Sequence, residues 1–205
     1  RVQIGLIQRC RMQAASVAFW LFRSMEGGSM STVPFIQAQT RVHIRWMIRR
    51  DMPEVLAIEH SSFDHAWTEE EFLRVLRQRN CIGMVAEHGE QIVGFMIYEL
   101  HRNKIHVLDF AAHPDFRRMG VGRQMVSKLV GKLSNQRRNR IALLIRETNL
   151  AAQLFFRAMA FRASEVAREH FQDTGEDAYL MQYLLDESSR EGATLSNRIA
   201  QQFGA

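Results

Sequence analysis

The sequence predicts a mixed α/β protein of the α+β kind, with a mostly antiparallel central sheet of about seven strands and four helices. Three observations predict it. Apolar periodicity switches between 2 and 3.6 residues in the order β-α-α-β-β-β-α-β-α-β-β. One segment, Ile141-Ala142-Leu143-Leu144-Ile145, is apolar without interruption, the pattern of a strand buried on both faces. Between a strand and a helix, Arg117-Arg118-Met119-Gly120-Val121-Gly122 forms a glycine turn.

Residues 42–48 alternate as a first strand. Asp51 is suited to cap a helix whose first turn holds Pro53 and whose inner side carries Val55 and Ile58. Thr68-Glu69-Glu70-Glu71 is a capping box ahead of Phe72, Leu73 and Leu76, so a second helix starts near Thr68. Residues 81–87 and 91–100 read as a hairpin about His88-Gly89-Glu90. After a turn at 102–104 a third antiparallel strand runs from 105 to 112. The helix after Gly120 lines up Val121, Met125, Val126, Leu129, Val130 and Leu133. Strand 141–145 follows a basic turn. Asn149 can cap the helix that carries Leu150, Leu154, Phe155 and Met159, and two strands, 161–167 and 178–185, close the sheet.

Composition narrows the function classes. The 205 residues are 46% hydrophobic, enough for a core. The pI of about 9.8 suggests nucleic acid, but the charge is local. Residues 1–50 hold eight arginines and one glutamate, a net +7 of the total +5, which leaves −2 for the remainder. The folded part is therefore not a basic nucleic-acid binder. Cys10 and Cys81 sit in unrelated contexts and suggest neither a disulfide framework nor a metal motif, in keeping with a reducing cytoplasm. The apolar stretch 14–22 is too short to span a bilayer, so no membrane is expected. Residues 1–40 read as a poorly packed extension, with a linker at Gly27-Gly28-Ser29-Met30-Ser31. Residues 41–187 read as one domain, and 188–205 as a polar tail.

The strand–turn–helix at 110–122 builds an anion cradle. Glycine lets backbone approach a phosphate. The first N–H groups of a helix lack internal partners, and the helix dipole adds positive potential there. No Gly-Lys-Ser/Thr follows, so the turn is not a P-loop, and the three-glycine dinucleotide fingerprint is absent.

The spacing Arg117-x-x-Gly120-x-Gly122 resembles the Arg/Gln-x-x-Gly-x-Gly/Ala signature of the GNAT N-acetyltransferases. From about Arg41 to Leu185 the chain is similar to that superfamily, and within it to the bacterial ribosomal-protein-alanine N-acetyltransferases. The resemblance implies a sheet that splays between its fourth and fifth strands, with acetyl-CoA as co-substrate in the gap. Phe110, Ala111 and Ala112 would pair with the pantetheine amides. Arg117, Arg118, Met119, Gly120, Val121 and Gly122 would hold the pyrophosphate. Arg146-Glu147-Thr148-Asn149 matches the family's Arg-x-x-Asn, whose asparagine contacts the cofactor. Phe156 stands where the family has a tyrosine acid beside it. Phe63, His65 and Trp67 match the region that covers the acceptor, and Tyr179 and Tyr183 fit either an acceptor groove or the core.

Three positions depart from the family pattern. Leu144 replaces the glutamate base, Phe156 replaces the tyrosine acid, and Ala160 replaces the glycine before the sixth strand, where a positive φ would disfavour alanine. His106 is the substitute base expected, placed by alternation on the face of Leu108 and Phe110; Glu147, His113 and His170 are weaker candidates. The resemblance implies direct acetyl transfer to a protein N-terminal amine, the partner being an acceptor N-terminus such as a ribosomal protein's, in a cytoplasmic monomer or weak dimer with no metal. A weakened acetyl-CoA-binding protein with a regulatory role, or an acetyltransferase for lysine or a small amine, are the alternatives.

Overall fold

Seven strands form one sheet in the order β1-β2-β3-β4-β5-β7-β6. The structure, a computed structural model, describes residues 40–171 and 173–185; the expected extension, its linker, Cys10 and the tail lie outside these residues. The strands are β1 (His43–Trp46), β2 (Cys81–His88), β3 (Gln91–Leu100), β4 (Lys104–Ala112), β5 (Arg140–Arg146), β6 (Arg162–Phe171) and β7 (Glu176–Leu184). Four helices connect them: α1 (Met52–Ser62), α2 (Glu69–Leu76), α3 (Val121–Val130) and α4 (Leu150–Ala158). All neighbours are antiparallel except β4 and β5, which are parallel and joined through α3. The α+β architecture, the strand number and the helix count match the sequence-based expectation.

Each sheet face buries its own cluster. Val55, Ile58, Phe72 and Val75 from α1 and α2 pack against Val85, Phe95, Ile97, Leu108 and Ala111. On the other face Val121, Met125 and Leu129 of α3 and Phe156 of α4 cover Met96, Tyr98, Ile105, Val107 and Phe110. β5 is buried from Ile141 to Ile145, as its unbroken apolar run requires.

Local signals succeed where they are satisfied by neighbours in sequence. The Thr68 hydroxyl accepts from the Glu71 N–H, and Glu71 returns a bond to the Thr68 N–H. Asn149 Oδ1 accepts from the Ala152 N–H at 3.0 Å and caps α4. Asp51 departs from expectation. It precedes α1 but makes no side-chain cap bond. Its buried carboxylate instead takes two bonds from the Arg45 guanidinium, at 2.7 and 2.9 Å, and one from the Ile48 N–H. A charged donor outcompetes an exposed helix N–H for a carboxylate. Leu150 and Leu154 also depart: both are more than half exposed, and α4 meets the core through Ala152 and Phe156. β6 extends four residues beyond its expected end at 167, through two irregularities in its pairing with β7.

Among the described residues, fold contacts include Thr40, one residue before the expected boundary. Thr40 is buried, donates to the Met119 carbonyl at 3.0 Å, and accepts from Gln124 Nε2. Ala160 holds φ +66, the left-handed conformation that its glycine-like position demands.

Two stability predictions follow from these placements. Ala160→Gly removes about 1 kcal/mol of left-handed strain and should raise Tm by roughly 2–4 °C; an unchanged or lower Tm in a thermal melt refutes the strain. The Arg45 guanidinium holds the Asp51 carboxyl below the usual carboxylate range, and it lowers the neighbouring Glu87 in the same way. A depressed folded-state pKa gives stability that is present above the unfolded value and is lost as pH falls through the folded one. Asp51→Asn should therefore cost about 2–3 kcal/mol at neutral pH. In denaturant titrations the gap from the parent should close as pH falls below about 4; a gap independent of pH would show that ionisation of Asp51 contributes nothing.

Candidate active site

β4 and β5 pair over only four positions, from Lys104↔Arg140 to Val107↔Leu143. Beyond them the two strands part. β4 keeps β3 as its other neighbour as far as Gly94↔Ala112, and β5 keeps β7 as far as Arg146↔Ala178. The separation starts beside a β-bulge: Ile97 pairs with Asp109 and Tyr98 with Val107, so Leu108 is the extra residue. A bulge adds twist and bends its strand, and this one sits where the pairing with β5 stops.

The bulge also reverses the alternation on which the sequence reading of His106 relied. Ile105, Val107 and Phe110 belong to the α3/α4 side, Leu108 and Ala111 to the α1/α2 side. His106 thus shares a face with Leu108 but not with Phe110. It is 3% exposed and absent from the cleft lining, and burial pushes its imidazole down to about 4. So weak a base accepts a proton poorly from an ammonium group. The expectation that His106 shares the face of Phe110 is therefore corrected, and His106 does not line the cleft. The bulge brings Asp109, opposite Ile97, to the same α1/α2 face, which simple alternation did not anticipate.

A cleft opens at the parting of the strands. Its walls are Ser62 and Phe63 at the end of α1, Phe110, Ala111 and Ala112 of β4, Phe116, Arg117 and Arg118, Gly122 at the start of α3, and Ala151, Ala152 and Phe155 of α4. Six of the expected cofactor residues lie here: Phe110, Ala111, Ala112, Arg117, Arg118 and Gly122. Met119 and Gly120 shape the turn without lining the cleft, and Val121 is buried beneath it. Gly120 caps α3 at φ +85, beside Arg118 at φ +66. Gly122 needs its missing side chain for another reason, since a Cβ there would lie 3.1 Å from the Phe155 ring. α3 has no acidic residue in its first turn, so the positive end of its dipole is uncompensated.

Arg117 is partly a strap. Its Nη2 donates to Ser62 Oγ at 2.9 Å and its Nε to the Ala112 carbonyl at 3.3 Å, which ties the end of α1 to the end of β4. Asn149 Nδ2 is a buried donor that makes no hydrogen bond. Phe156 stands behind the wall, 1% exposed, with rings of Phe110, Phe155 and Phe161 around it. Phe155, its neighbour, is the aromatic that faces the cleft.

Residues expected around the acceptor separate in the same way. Phe63 lines the cleft, whereas Trp67 is buried against Phe72. His65 lies 3.8 Å from Asp173, so the α1–α2 loop touches the β6–β7 turn. That turn is fixed by Arg146, which pairs with Asp173 and Glu176 and stacks over Phe171. Tyr179 and Tyr183 pair with Ile145 and Ile141; Tyr179 borders a groove with α4, and Tyr183 packs on Phe161. Both thus face α4 and not the α1/α2 side. Of the weaker base candidates, Glu147 is exposed, His113 caps the turn at Pro114, and His170 packs on Phe171. Ser62, Phe116, Ala151, Ala152 and Phe155 were not legible as site residues; only the closeness of helix ends to the parted strands reveals them.

Similarity to known proteins agrees with this geometry. A putative ribosomal protein bS18-alanine N-acetyltransferase of Bacillus subtilis is 23% identical over 150 residues, 73% of this chain and 99% of its own. The crystal structure of the ribosomal-protein-S18-alanine N-acetyltransferase from Escherichia coli superposes with a TM-score of 0.64 at 21% identity, over 71% of this chain and 95% of that one. Arabidopsis thaliana NAA60 in complex with acetyl-CoA gives 0.63 at 16% identity, over 70% and 99%. The family model described as acetyltransferase (GNAT) family matches residues 50–161, and this chain belongs to that family.

Proposed function

We propose that this protein transfers the acetyl group of acetyl-CoA to the α-amine of a protein N-terminus, by direct attack within a ternary complex. The observation that carries the reading is the gap between β4 and β5 with an anion cradle at its rim. Two strand edges unpaired with each other suit an extended amide-bearing arm. The residues present fit the co-substrate: Phe110, Ala111 and Ala112 offer backbone groups along β4, and the turn 117–122 offers N–H groups to a pyrophosphate. Asn149 Nδ2 is a buried donor without a hydrogen bond but lies outside the cleft lining. The bound thioester supplies the activated acyl carbon. The chain orients it, excludes water with Phe63, Phe110 and Phe155, and aims backbone N–H at the oxygen where charge develops.

Among the described residues, no carboxylate or imidazole lines the cleft. Leu144, where the family's glutamate is expected, is 7% exposed and apolar. The acceptor must therefore arrive largely neutral. An α-amine has a pKa near 7.7–8.0 and a lysine near 10.4, so close to pH 7.5 a terminal amine supplies roughly two hundred times more neutral nucleophile. That difference favours a protein N-terminus over lysine in this site, as do the names of the relatives. Proximity supplies the remainder of the acceleration. The same bare lining supports a second reading, an acetyl-CoA-binding protein of weak activity with a regulatory role. Calorimetry with acetyl-CoA together with a thiol-release assay on N-terminal peptides separates the two: binding without turnover selects the second.

Two further predictions test the chemistry. Gly120→Glu places a carboxylate in the cradle, where repulsion of about 4 kcal/mol at 4 Å before screening should weaken acetyl-CoA by on the order of 10²-fold or more. Unchanged affinity in a folded variant refutes the site. The parent's kcat/KM should rise with pH up to about 8, following the acceptor amine. Leu144→Glu should raise the rate near neutral pH by on the order of 10²-fold and flatten that profile. A pH-independent parent rate would show that a side chain already serves as base.

A further inference from the structure

A second cluster of reactive side chains lies away from the cleft, at the turn end of the β3–β4 hairpin. Glu99 and His106 are directly paired across the two strands, and Cys81 of β2 pairs with Glu99 on its other side. Paired residues share a face, so three donor-bearing side chains stand in one row. His101, in the turn that follows β3, reaches back to the same place. Its Nε2 lies 2.9 Å from Glu99 Oε2. His106 Nδ1 lies 3.9 Å from that oxygen, and the ligand atoms of Glu99, His101 and His106 all fall within 4.8 Å of one another. Cys81 Sγ is 3.8 Å from the other Glu99 oxygen.

His106 is the informative member. Its side chain is 4% exposed, and its Nδ1 is buried without a hydrogen bond. A buried imidazole nitrogen left unmatched is destabilising, and nothing in the acetyl-transfer reading uses it. It points toward a carboxylate, yet lies too far from it for a hydrogen bond. A gap of this size between a nitrogen and an oxygen suits an ion held by both.

We propose that Glu99, His101 and His106 form a binding site for a divalent transition-metal ion, with zinc as the ion favoured by the ligand chemistry. Two imidazoles and one carboxylate, with a thiol at the margin, form a borderline set that selects zinc, cobalt or nickel over magnesium and calcium. Tetrahedral bonds of about 2.0–2.1 Å place donors roughly 3.3 Å apart. Glu99 and His101 are already closer than that at 2.9 Å, and Glu99 and His106, 3.9 Å apart, need to close by about half an ångström. His101 is 39% exposed by side chain and stands in a turn, so it can adjust and gives the ion a route from solvent. Lys104 and His170 lie near enough to act electrostatically on His106, and Glu99 supplies the compensating negative charge.

The position gives the site a structural role. His106 pairs with Ala142, one step before Val107↔Leu143, the last pair before β4 and β5 separate. An ion here fastens the hairpin at the foot of the gap. None of its ligands lines the cofactor cleft, so occupancy should stiffen the fold without entering the cleft.

The test uses the full untagged chain stripped with a chelator. Titration with zinc by calorimetry should give one site of micromolar or tighter affinity, unaffected by millimolar magnesium. Cobalt should show the visible absorption of a four- or five-coordinate ion, removable by zinc. His101→Ala, an exposed turn substitution that leaves the core intact, should weaken zinc at least tenfold, as should His106→Ala and Glu99→Gln. Zinc should raise the Tm of the parent and not that of His101→Ala. Absence of stoichiometric zinc binding overturns the proposal. Equal zinc affinity in the parent and in His101→Ala and Glu99→Gln, each shown folded by circular dichroism, also overturns it, because the ion then sits elsewhere.

Discussion

The constraint on which the rest of the structure depends is the loss of pairing between β4 and β5 after Val107↔Leu143. Parallel neighbours in a buried sheet normally stay paired, because buried N–H and C=O groups left unmatched are costly. Here the opening is tolerated because each strand keeps its outer neighbour, so only inward-facing groups are released. The extra residue at Leu108 falls just after the last β4–β5 pair, and side chains line the gap. Phe110 is clamped against Phe155 and Phe156, while Arg117 ties Ala112 to Ser62. The edges are thus preorganised for an extended ligand before it arrives, which lowers the ordering cost of binding.

An apolar side chain at Leu144 suits its buried place in β5. β5 is buried through five consecutive residues, of which Ile141, Leu143, Leu144 and Ile145 join the core cluster under α3 and α4. A carboxylate at position 144 would be desolvated, a condition that raises its pKa toward a useful range and reduces stability. Leucine removes that conflict and with it the proton acceptor. Stability and catalytic power therefore compete at one side chain. Under the proposed acetyl transfer, a chain with leucine there would depend on acceptors that are neutral at working pH, such as α-amines.

Much of the fold was legible because its signals are local. Element order, the Thr68 capping box, the Asn149 cap and the unbroken apolar run of β5 are determined by residues within a few positions of one another. The glycine turn was legible for the same reason: Gly120 must hold a positive φ, and Gly122 must leave room for Phe155. What was not legible depends on tertiary packing, even between residues close in sequence. The bulge at Leu108 has no composition signal, and one inserted residue moved Phe110 to the face opposite His106. Asp51 reads as a cap until Arg45, on a neighbouring strand, claims its carboxylate. Phe155 and Phe156 are adjacent and chemically alike, so only the packing of α4 decides which of them meets the cleft.

The two sides of the gap are not equally rigid, and that asymmetry bears on specificity. The cofactor side is built from helix ends, two clamped strand edges and a buried aromatic cluster. The other side is closed where the α1–α2 loop meets the β6–β7 turn, through His65 and Asp173. Asp173 is held firmly by Arg146, but His65 is more than half exposed, and an exposed pair of this kind contributes about 0–1 kcal/mol. Opening the acceptor side costs little, whereas moving the cofactor side would disrupt the core. Loops on a rigid scaffold can change their contacts without loss of the fold. Under the proposed acetyl transfer, co-substrate binding would rest on the packed part of the structure, and the choice of acceptor on the loosely joined loop and turn.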